Sequence, residues 1–425
     1  MTAATASSGS EFLELMPPGA MVDAAGELVV AGCRLSDLAS SHGTPLYVVD
    51  EVALRGQARA FSQALGGRWP NSRVVFASKA FPCTAAYRLM AEEGLGVDVA
   101  GGGELAMALS GGVDPPLIVL HGNAKSPHEL AMAIEAGVGT VVIDNFDDID
   151  RLEHMVPSEQ GVLVRVIPGV RPDTHEAVAT GQVGSKFGFT SSDARVAISR
   201  LRQSDRLRLD GLHMHIGSQI LTTEPFTRAV EAISEFGEFD VYDLGGGLGV
   251  RYTYDDEPPS VEEWVDAFVG AARRHLPAAA RLLIEPGRSL VARSGVTLYT
   301  IISVKRGTPT FVAVDGGMGD NLEVSLYGQR FEASIVNRVG GDASVELVGR
   351  HCESGDRLIA GVPLNSPVPG DVVVVPVTGA YCFTMSNNYN GSLRPAVVFC
   401  HDGIDEVRVR RETLADLLHR DVAPT

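Results

Sequence analysis

Between residues 73 and 288, short runs of β-branched and apolar residues recur at near-even intervals. They are 73-RVVFASK-79, 96-GVDVA-100, 117-LIVLHGN-123, 140-TVVIDN-145, 162-VLVRVIP-168, 209-LDGLHMHIGS-218, 241-VYDLGGG-247 and 281-RLLIEPGR-288. Most are separated by Ala/Leu/Glu-rich stretches long enough for one helix, such as 84-TAAYRLMAEEG-94 and 126-SPHELAMAIEAG-137. Strand and helix patterns in alternation predict a parallel sheet. Eight such units predict an α/β fold of the closed (β/α)8, TIM-barrel type. Their interiors are Val, Ile and Leu, while the C-terminal ends carry Lys79, Asp98, Asn123, Arg165, His215, Ser218, three consecutive glycines, Glu285 and Arg288. Catalysis in such barrels sits at that end.

After Arg288 the pattern changes to β-rich segments without intervening helices: 296-VTLYTIISV-304, 311-FVAVDGG-317, 371-DVVVVPVTGAY-381, 396-AVVFC-400 and 406-EVRVRR-411. These predict a C-terminal antiparallel β-barrel or sandwich. The strand-like ELVVAG in 20–44 assigns that stretch to the same domain. The expected division is a disordered tail over 1–19, a barrel over 45–288, and a β-rich domain built from 20–44 with 289–425. The Pro- and acid-rich 251-RYTYDDEPPSVEE-263 is expected to be a surface loop.

A length of 425 residues exceeds the ~250 of a bare barrel, which agrees with two domains. The formal net charge of −18 makes nucleic acid an unsuitable partner and a small soluble metabolite a better one. Five cysteines without a C-x-x-C pair argue against a disulfide framework and a structural zinc site, so no metal is expected. No leader-like N-terminus or membrane-spanning stretch is legible, and the expected compartment is the reducing cytoplasm.

An ammonium at the end of a buried strand loses hydration, which favours the neutral amine. Lys79 is therefore a candidate for covalent capture of an aldehyde, although a lone lysine there could equally reach solvent or pair with Asp98. Three segments on the same rim offer what a phosphate needs. Gly245, Gly246 and Gly247 give backbone N–H groups, 215-HIGS-218 adds a hydroxyl, and 286-PGR-288 adds another glycine turn. An aldehyde-capturing lysine with a phosphate cup points to pyridoxal 5′-phosphate. Glu285 then suits the pyridine nitrogen, keeping it protonated so that the ring withdraws electrons from the substrate Cα. His215 suits the ring face, or else is a satisfied core histidine.

With these residues in view, the chain resembles the fold-type III pyridoxal-phosphate decarboxylases, and within them the bacterial diaminopimelate decarboxylases. The motifs are FASKAF with Lys79, HMHIGSQ with His215 and Ser218, DLGGGLG with Gly246 and Gly247, EPGR with Glu285, Gly287 and Arg288, DGGMGDN at 315–321, HCESGD with Cys352 and Glu353, and GAYCFTMSNNYN with Tyr381. The resemblance runs from about Gly32 to Leu417 and implies an alanine-racemase-like arrangement of the two domains. It implies that Lys79 binds the cofactor covalently, His215 stacks on the ring, and Ser218, Gly246, Gly247, Gly287 and Arg288 surround the phosphate. Glu285 pairs with the ring nitrogen, while Asp98 and Arg165 lie near the ring. A homodimer with shared active sites is implied, with Cys352 as the proton donor to Cα after CO2 leaves and Glu353 holding the distal amine. Tyr381 would contact cofactor and substrate, and Arg288 and Tyr327 the substrate. From composition alone Cys352 is a small hydrophobe.

The implied reaction is meso-diaminopimelate to L-lysine plus CO2, a step of lysine biosynthesis. One departure bears on it. The family usually carries an arginine for the distal carboxylate four residues before the tyrosine of the LYG motif, and this chain has Glu323 ahead of Tyr327. Either another cation such as Arg330 takes over, or the substrate is a related basic amino acid or diamino-acid precursor without that carboxylate. Racemases of this fold place an arginine at the ring nitrogen, so Glu285 argues against racemisation. Lys79 and Cys352 argue against a non-catalytic homologue.

Overall fold

The structure, a computed structural model, describes residues 9–170 and 184–422. The chain forms two compact units, one of residues 55–250 with 257–290, the other of residues 1–54, 251–256 and 291–425.

The first unit is a closed barrel of eight parallel strands, β1 (Ser72–Ala77), β2 (Gly96–Val99), β3 (Ile118–Leu120), β4 (Thr140–Ile143), β5 (Gln160–Arg165), β6 (Leu207–His213), β7 (Val241–Asp243) and β8 (Arg281–Ile284). Each pairs with the next, and β8 returns to β1 with Leu282 opposite Ser72. Val75, Val119, Val142, Leu163 and Leu283, from β1, β3, β4, β5 and β8, form a buried cluster, the side-chain-filled interior of such a barrel. The helices start where the sequence supplies caps. Ser126 with Glu129, and Ser260 with Glu263, form capping boxes, while Asn145 and Thr190 accept single N-terminal amides. Those caps fix the entry of each helix and so the loop that leaves the strand before it.

In the second unit a branched sheet has the order Arg357–Leu364, Ala343–Val348, Phe311–Val314, Gly295–Lys305, Leu46–Asp50, Ala396–His401 and Ile404–Val409, and Val372–Pro376 also pairs with Gly295–Lys305. It is mixed rather than purely antiparallel. Leu46–Asp50 runs parallel to Ala396–His401, and Phe311–Val314 parallel to Ala343–Val348. The expected strand 371–381 stops at Pro376, and Val377 and Tyr381 take positive φ.

Three boundaries differ from the sequence reading. Leu46–Asp50, expected to open the barrel domain, is a fully buried strand at the centre of this second sheet, flanked on both edges. The expected tail 1–19 contains a helix, Gly9–Leu13, with Phe12, Leu15 and Met16 buried against Leu28, Val30 and Val296 or elsewhere in the core; residues 1–8 lie outside the described ones. The segment 251–256 is no surface loop throughout, because Tyr252 is fully buried and Thr253 nearly so. In each case a few apolar side chains bury enough area, at about 25 cal/mol per Å2, to outweigh the polar neighbours that dominate the local pattern.

Candidate active site

All the ring- and phosphate-directed candidates of the first unit collect at the C-terminal end of its barrel. Lys79 lies in a single 3-10 turn, Ser78–Ala80, just beyond β1, and its side chain is exposed. The expected burial of this lysine is therefore not found in the chain by itself. The turn is held from β2, where Asp98 Oδ1 accepts the Ser78 amide at 2.9 Å. Lys79 is close enough to Asp98 and His215 to act on both electrostatically.

Glu285 follows β8 directly and is the centre of the site. His121, after β3, brings Nε2 to 2.7 Å from Glu285 Oε1, and His213, the last residue of β6, brings Nε2 to 3.1 Å from Oε2. The two rings meet edge to face, 4.8 Å apart. Burial pushes the Glu285 carboxyl up, but the two imidazoles outweigh it and hold it well below the usual carboxylate range. The same burial pushes His213 down to about 4, so it stands neutral and donates. Asp98 is pushed up to about 7 by burial and then by the Glu285 charge.

His121, His213, Asp243 and Glu285 each offer an atom within 4.8 Å of the others, which raises the question of a metal. Tetrahedral ligands about 2.1 Å from zinc stand about 3.4 Å apart. The 2.7 Å contact of His121 with Glu285 is a direct polar contact instead, too short for two ligands of one ion, and with the His213 hydrogen bond at 3.1 Å it suits a carboxylate facing a ring nitrogen better.

The cup beside this floor depends on missing side chains. A Cβ at Gly246 would lie 2.0 Å from the Glu285 carbonyl oxygen, and one at Gly247 2.6 Å from that of Gly217. At Gly287 it would meet Ala77 Cβ at 2.9 Å. Three loops, 214–218, 245–247 and 285–288, thus pack backbone to backbone, and only glycine permits it. The Gly246 amide donates to His215 Nδ1 at 3.3 Å, which leaves the proton of a neutral ring on Nε2. Burial, then the charges of Lys79 and Arg165, hold His215 well below its ordinary value. Arg288 Nε donates to Ser218 Oγ at 3.1 Å. A glycine-lined cradle with an arginine and a hydroxyl, next to an ionised carboxylate with two imidazole partners, fits both ends of pyridoxal phosphate.

Arg165, the last residue of β5, lies over the Phe187 ring at 4.6 Å and 3.7 Å from Asp144. Behind it is a pair that the sequence reading missed. Lys125, 3% exposed, donates to Gly122 O at 2.6 Å and Val142 O at 2.9 Å, and meets Asp148 Oδ2 at 2.7 Å. Asp148 in turn accepts the Asp144 amide. This ties the ends of β3 and β4 together beside Arg165. His121 and His213 were also missed. His213 had a signal, since it shares the strand face of His215 by the two-residue repeat; His121 and Lys125 had only their place near a strand end.

The remaining candidates lie in the second unit. Glu323 begins the helix Leu322–Tyr327 and is 1% exposed, with Tyr252 Oη 3.5 Å from its Oε2. Arg330 is two-thirds exposed and paired with Asp255 at 3.3 Å, so it offers Glu323 no compensation within this unit. The 351–356 loop is organised by Asp356, whose carboxylate accepts the amides of Met318 and His351 and meets His351 Nδ1 at 2.8 Å. Cys352 and Glu353 are exposed on it, and the Cys352 amide donates to Asn390 Oδ1 at 2.7 Å. Tyr381 sits at φ 62°.

A family profile described as the pyridoxal-dependent decarboxylase, pyridoxal binding domain, matches residues 52–292. Diaminopimelate decarboxylase of Actinosynnema pretiosum subsp. auranticum is 46% identical over 98% of this chain and 97% of its own. That of Bacillus subtilis is 42% identical over 93% and 95%. The solved structure of diaminopimelate decarboxylase from M. jannaschii in complex with L-lysine superposes with a TM-score of 0.90 at 29% identity, covering 96% of this chain and 98% of that one.

Proposed function

Because this chain belongs to the pyridoxal-dependent decarboxylases and is a carboxy-lyase that uses pyridoxal 5′-phosphate, we propose that its substrate is meso-diaminopimelate and its product L-lysine. The observation that carries the chemistry is Glu285, an ionised, buried carboxylate held by two imidazoles where a ring nitrogen would stand. The near-complete coverage of relatives named for diaminopimelate supports the substrate.

The bound cofactor supplies an electron sink for the pair left at Cα when CO2 departs. Lys79 is the residue to hold its aldehyde carbon, and His215 to cover one ring face. Gly246, Gly247, Gly287, Ser218 and Arg288 would hold the phosphate, with Asp98 and Arg165 beside the ring. Glu285 would keep a proton on the ring nitrogen of a bound cofactor, because moving that proton onto a carboxylate so far below its usual range is unfavourable. From the family resemblance, Cys352 of the partner subunit returns a proton to Cα, and Glu353, Tyr327, Tyr381 and Arg288 contact the substrate. A homodimer is part of this reading. So is a cytoplasmic location; no helix among the described residues is long and apolar enough to cross a membrane.

A second reading has one observation in its favour. Glu323 is fully buried beside a tyrosine hydroxyl, and an acidic side chain in place of a cation there offers a distal carboxylate no partner and suits a distal amine. Lysine, ornithine or a diamino-acid precursor would then be the substrate. Steady-state CO2 release from meso-diaminopimelate, lysine, ornithine and arginine separates the two. The highest kcat/KM on diaminopimelate upholds the first, and a preference for any of the others replaces it with the second.

A further inference from the structure

Asp243, at the end of β7, is fully buried and has no role in the account so far. Its Oδ1 accepts the Gly245 amide at 3.0 Å. Its Oδ2 is buried and meets no donor among the described residues, and the same holds for Glu285 Oε1, whose 2.7 Å contact with His121 lacks hydrogen-bond geometry. The Asp243 and Glu285 carboxyls nevertheless each bring an oxygen within 4.8 Å of the other in the cluster of four. Two carboxylates this close and away from water, with no donor between them, repel and leave acceptors unpaired. A single proton removes both penalties.

We propose that Asp243 is a neutral carboxylic acid that donates a hydrogen bond to Glu285, giving the barrel floor one carboxylate with two imidazole contacts and a carboxylic-acid donor. The polar contacts decide which partner keeps the proton. Glu285 has two imidazole nitrogens at 2.7 and 3.1 Å, while Asp243 has one backbone amide. The better-solvated carboxylate remains the anion. The other charged or titratable groups around the pair are Asp98, Lys79, Arg165 and His215. Among them the cations are Lys79, exposed, and Arg165, which is buried, paired with Asp144 at 3.7 Å and shared electrostatically with Glu285, Asp98 and Asp243, so among the described residues no cation forms an ion pair with Asp243. Burial, then the Glu285 charge, also keeps the Asp243 carboxyl well above its ordinary range.

The consequence rests on the reading of Glu285 as the partner of the ring nitrogen. A further donor lowers the basicity of Glu285, so a bound ring nitrogen would keep its proton. Asp243 would thus be a positioning residue that acts through Glu285.

Two measurements test this. In the cofactor-free protein labelled with 13C-aspartate, infrared difference spectra at mildly alkaline pH should contain a protonated-carboxyl stretch that disappears in Asp243→Asn. In cofactor titrations, Asp243→Asn, which keeps a neutral donor, should bind within about threefold of wild type. Asp243→Leu, which removes the donor, should bind about 10- to 100-fold more weakly. Absence of the stretch, or equal losses in the Asn and Leu variants, would overturn the proposal. If the stretch is present but both variants bind as wild type, the neutral acid stands and the role given to Glu285 falls instead.

Discussion

Replacing Lys125 by methionine keeps the length of the side chain and removes one charge from a site closed to bulk solvent. Lys125 and Asp148 have side chains 2% and 0% exposed, at 2.7 Å. Removing one member of such a pair costs about 3–5 kcal/mol, because the other is left as a buried, unpaired charge. Asp148 keeps the Asp144 amide and has Arg151 at 3.7 Å, a third exposed, which places the expected loss toward the lower end, at about 3 kcal/mol. The carbonyls of Gly122 and Val142 lose a donor in the same step. Both tryptophans, Trp69 and Trp264, belong to the barrel unit, so urea unfolding of the cofactor-free protein followed by tryptophan fluorescence reports on this unit. With a slope of about 3 kcal/mol per M, the midpoint should fall by about 1 M. Lys125→Met with Asp148→Leu removes both charges and should recover most of the loss. A single variant less than about 1 kcal/mol from wild type, or a double variant as unstable as the single, would refute the reasoning.

The other predictions concern pH, substrate and assembly. Burial raises the Asp320 carboxyl to about 7 even though Tyr299 and Gly317 donate to it. Its folded value lies above its unfolded one, so its contribution to stability is present in acid and lost as pH rises through about 7. Wild type should therefore lose, between about pH 5 and about pH 8, a few kcal/mol that Asp320→Asn retains, and parallel curves for the two proteins would contradict this. Glu323→Gln replaces a buried carboxyl by a neutral amide and should lower KM for diaminopimelate several-fold with little change in kcat; a rise in KM would mean that Glu323 binds the substrate's amine. Mixing inactive Lys79→Ala with inactive Cys352→Ala subunits should restore up to about a quarter of wild-type activity if sites are shared across a dimer, and no recovery counts against sharing.

The barrel was legible because its strands are covered on both faces, which leaves continuous β-branched runs such as VVF and VVI with polar residues only at their ends. The same property made 46-LYVVD-50 misleading, since a central strand of a mixed sheet is covered in the same way, and nothing local says which sheet will cover it. The glycines and Glu285 could be found because their chemistry is tied to adjacent residues. Lys125, His121 and Asp243 could not, because their partners Asp148, on the helix Phe146–Met155, and Glu285, just after β8, come from other elements and meet them only when the barrel closes. Phe12, Leu15 and Met16 follow no single period, and only the sheet they cover makes their burial intelligible.

The most direct test of the whole account is CO2 release and lysine formation from meso-diaminopimelate by the cofactor-loaded wild type and by Lys79→Ala, with the visible cofactor absorbance recorded on the same samples. Stoichiometric CO2 and lysine from wild type, with both activity and the covalent cofactor band lost in Lys79→Ala, is the predicted result. Retention of the band and of turnover in Lys79→Ala, or a wild type that binds the cofactor yet releases no CO2 from diaminopimelate or any other diamino acid, would contradict it.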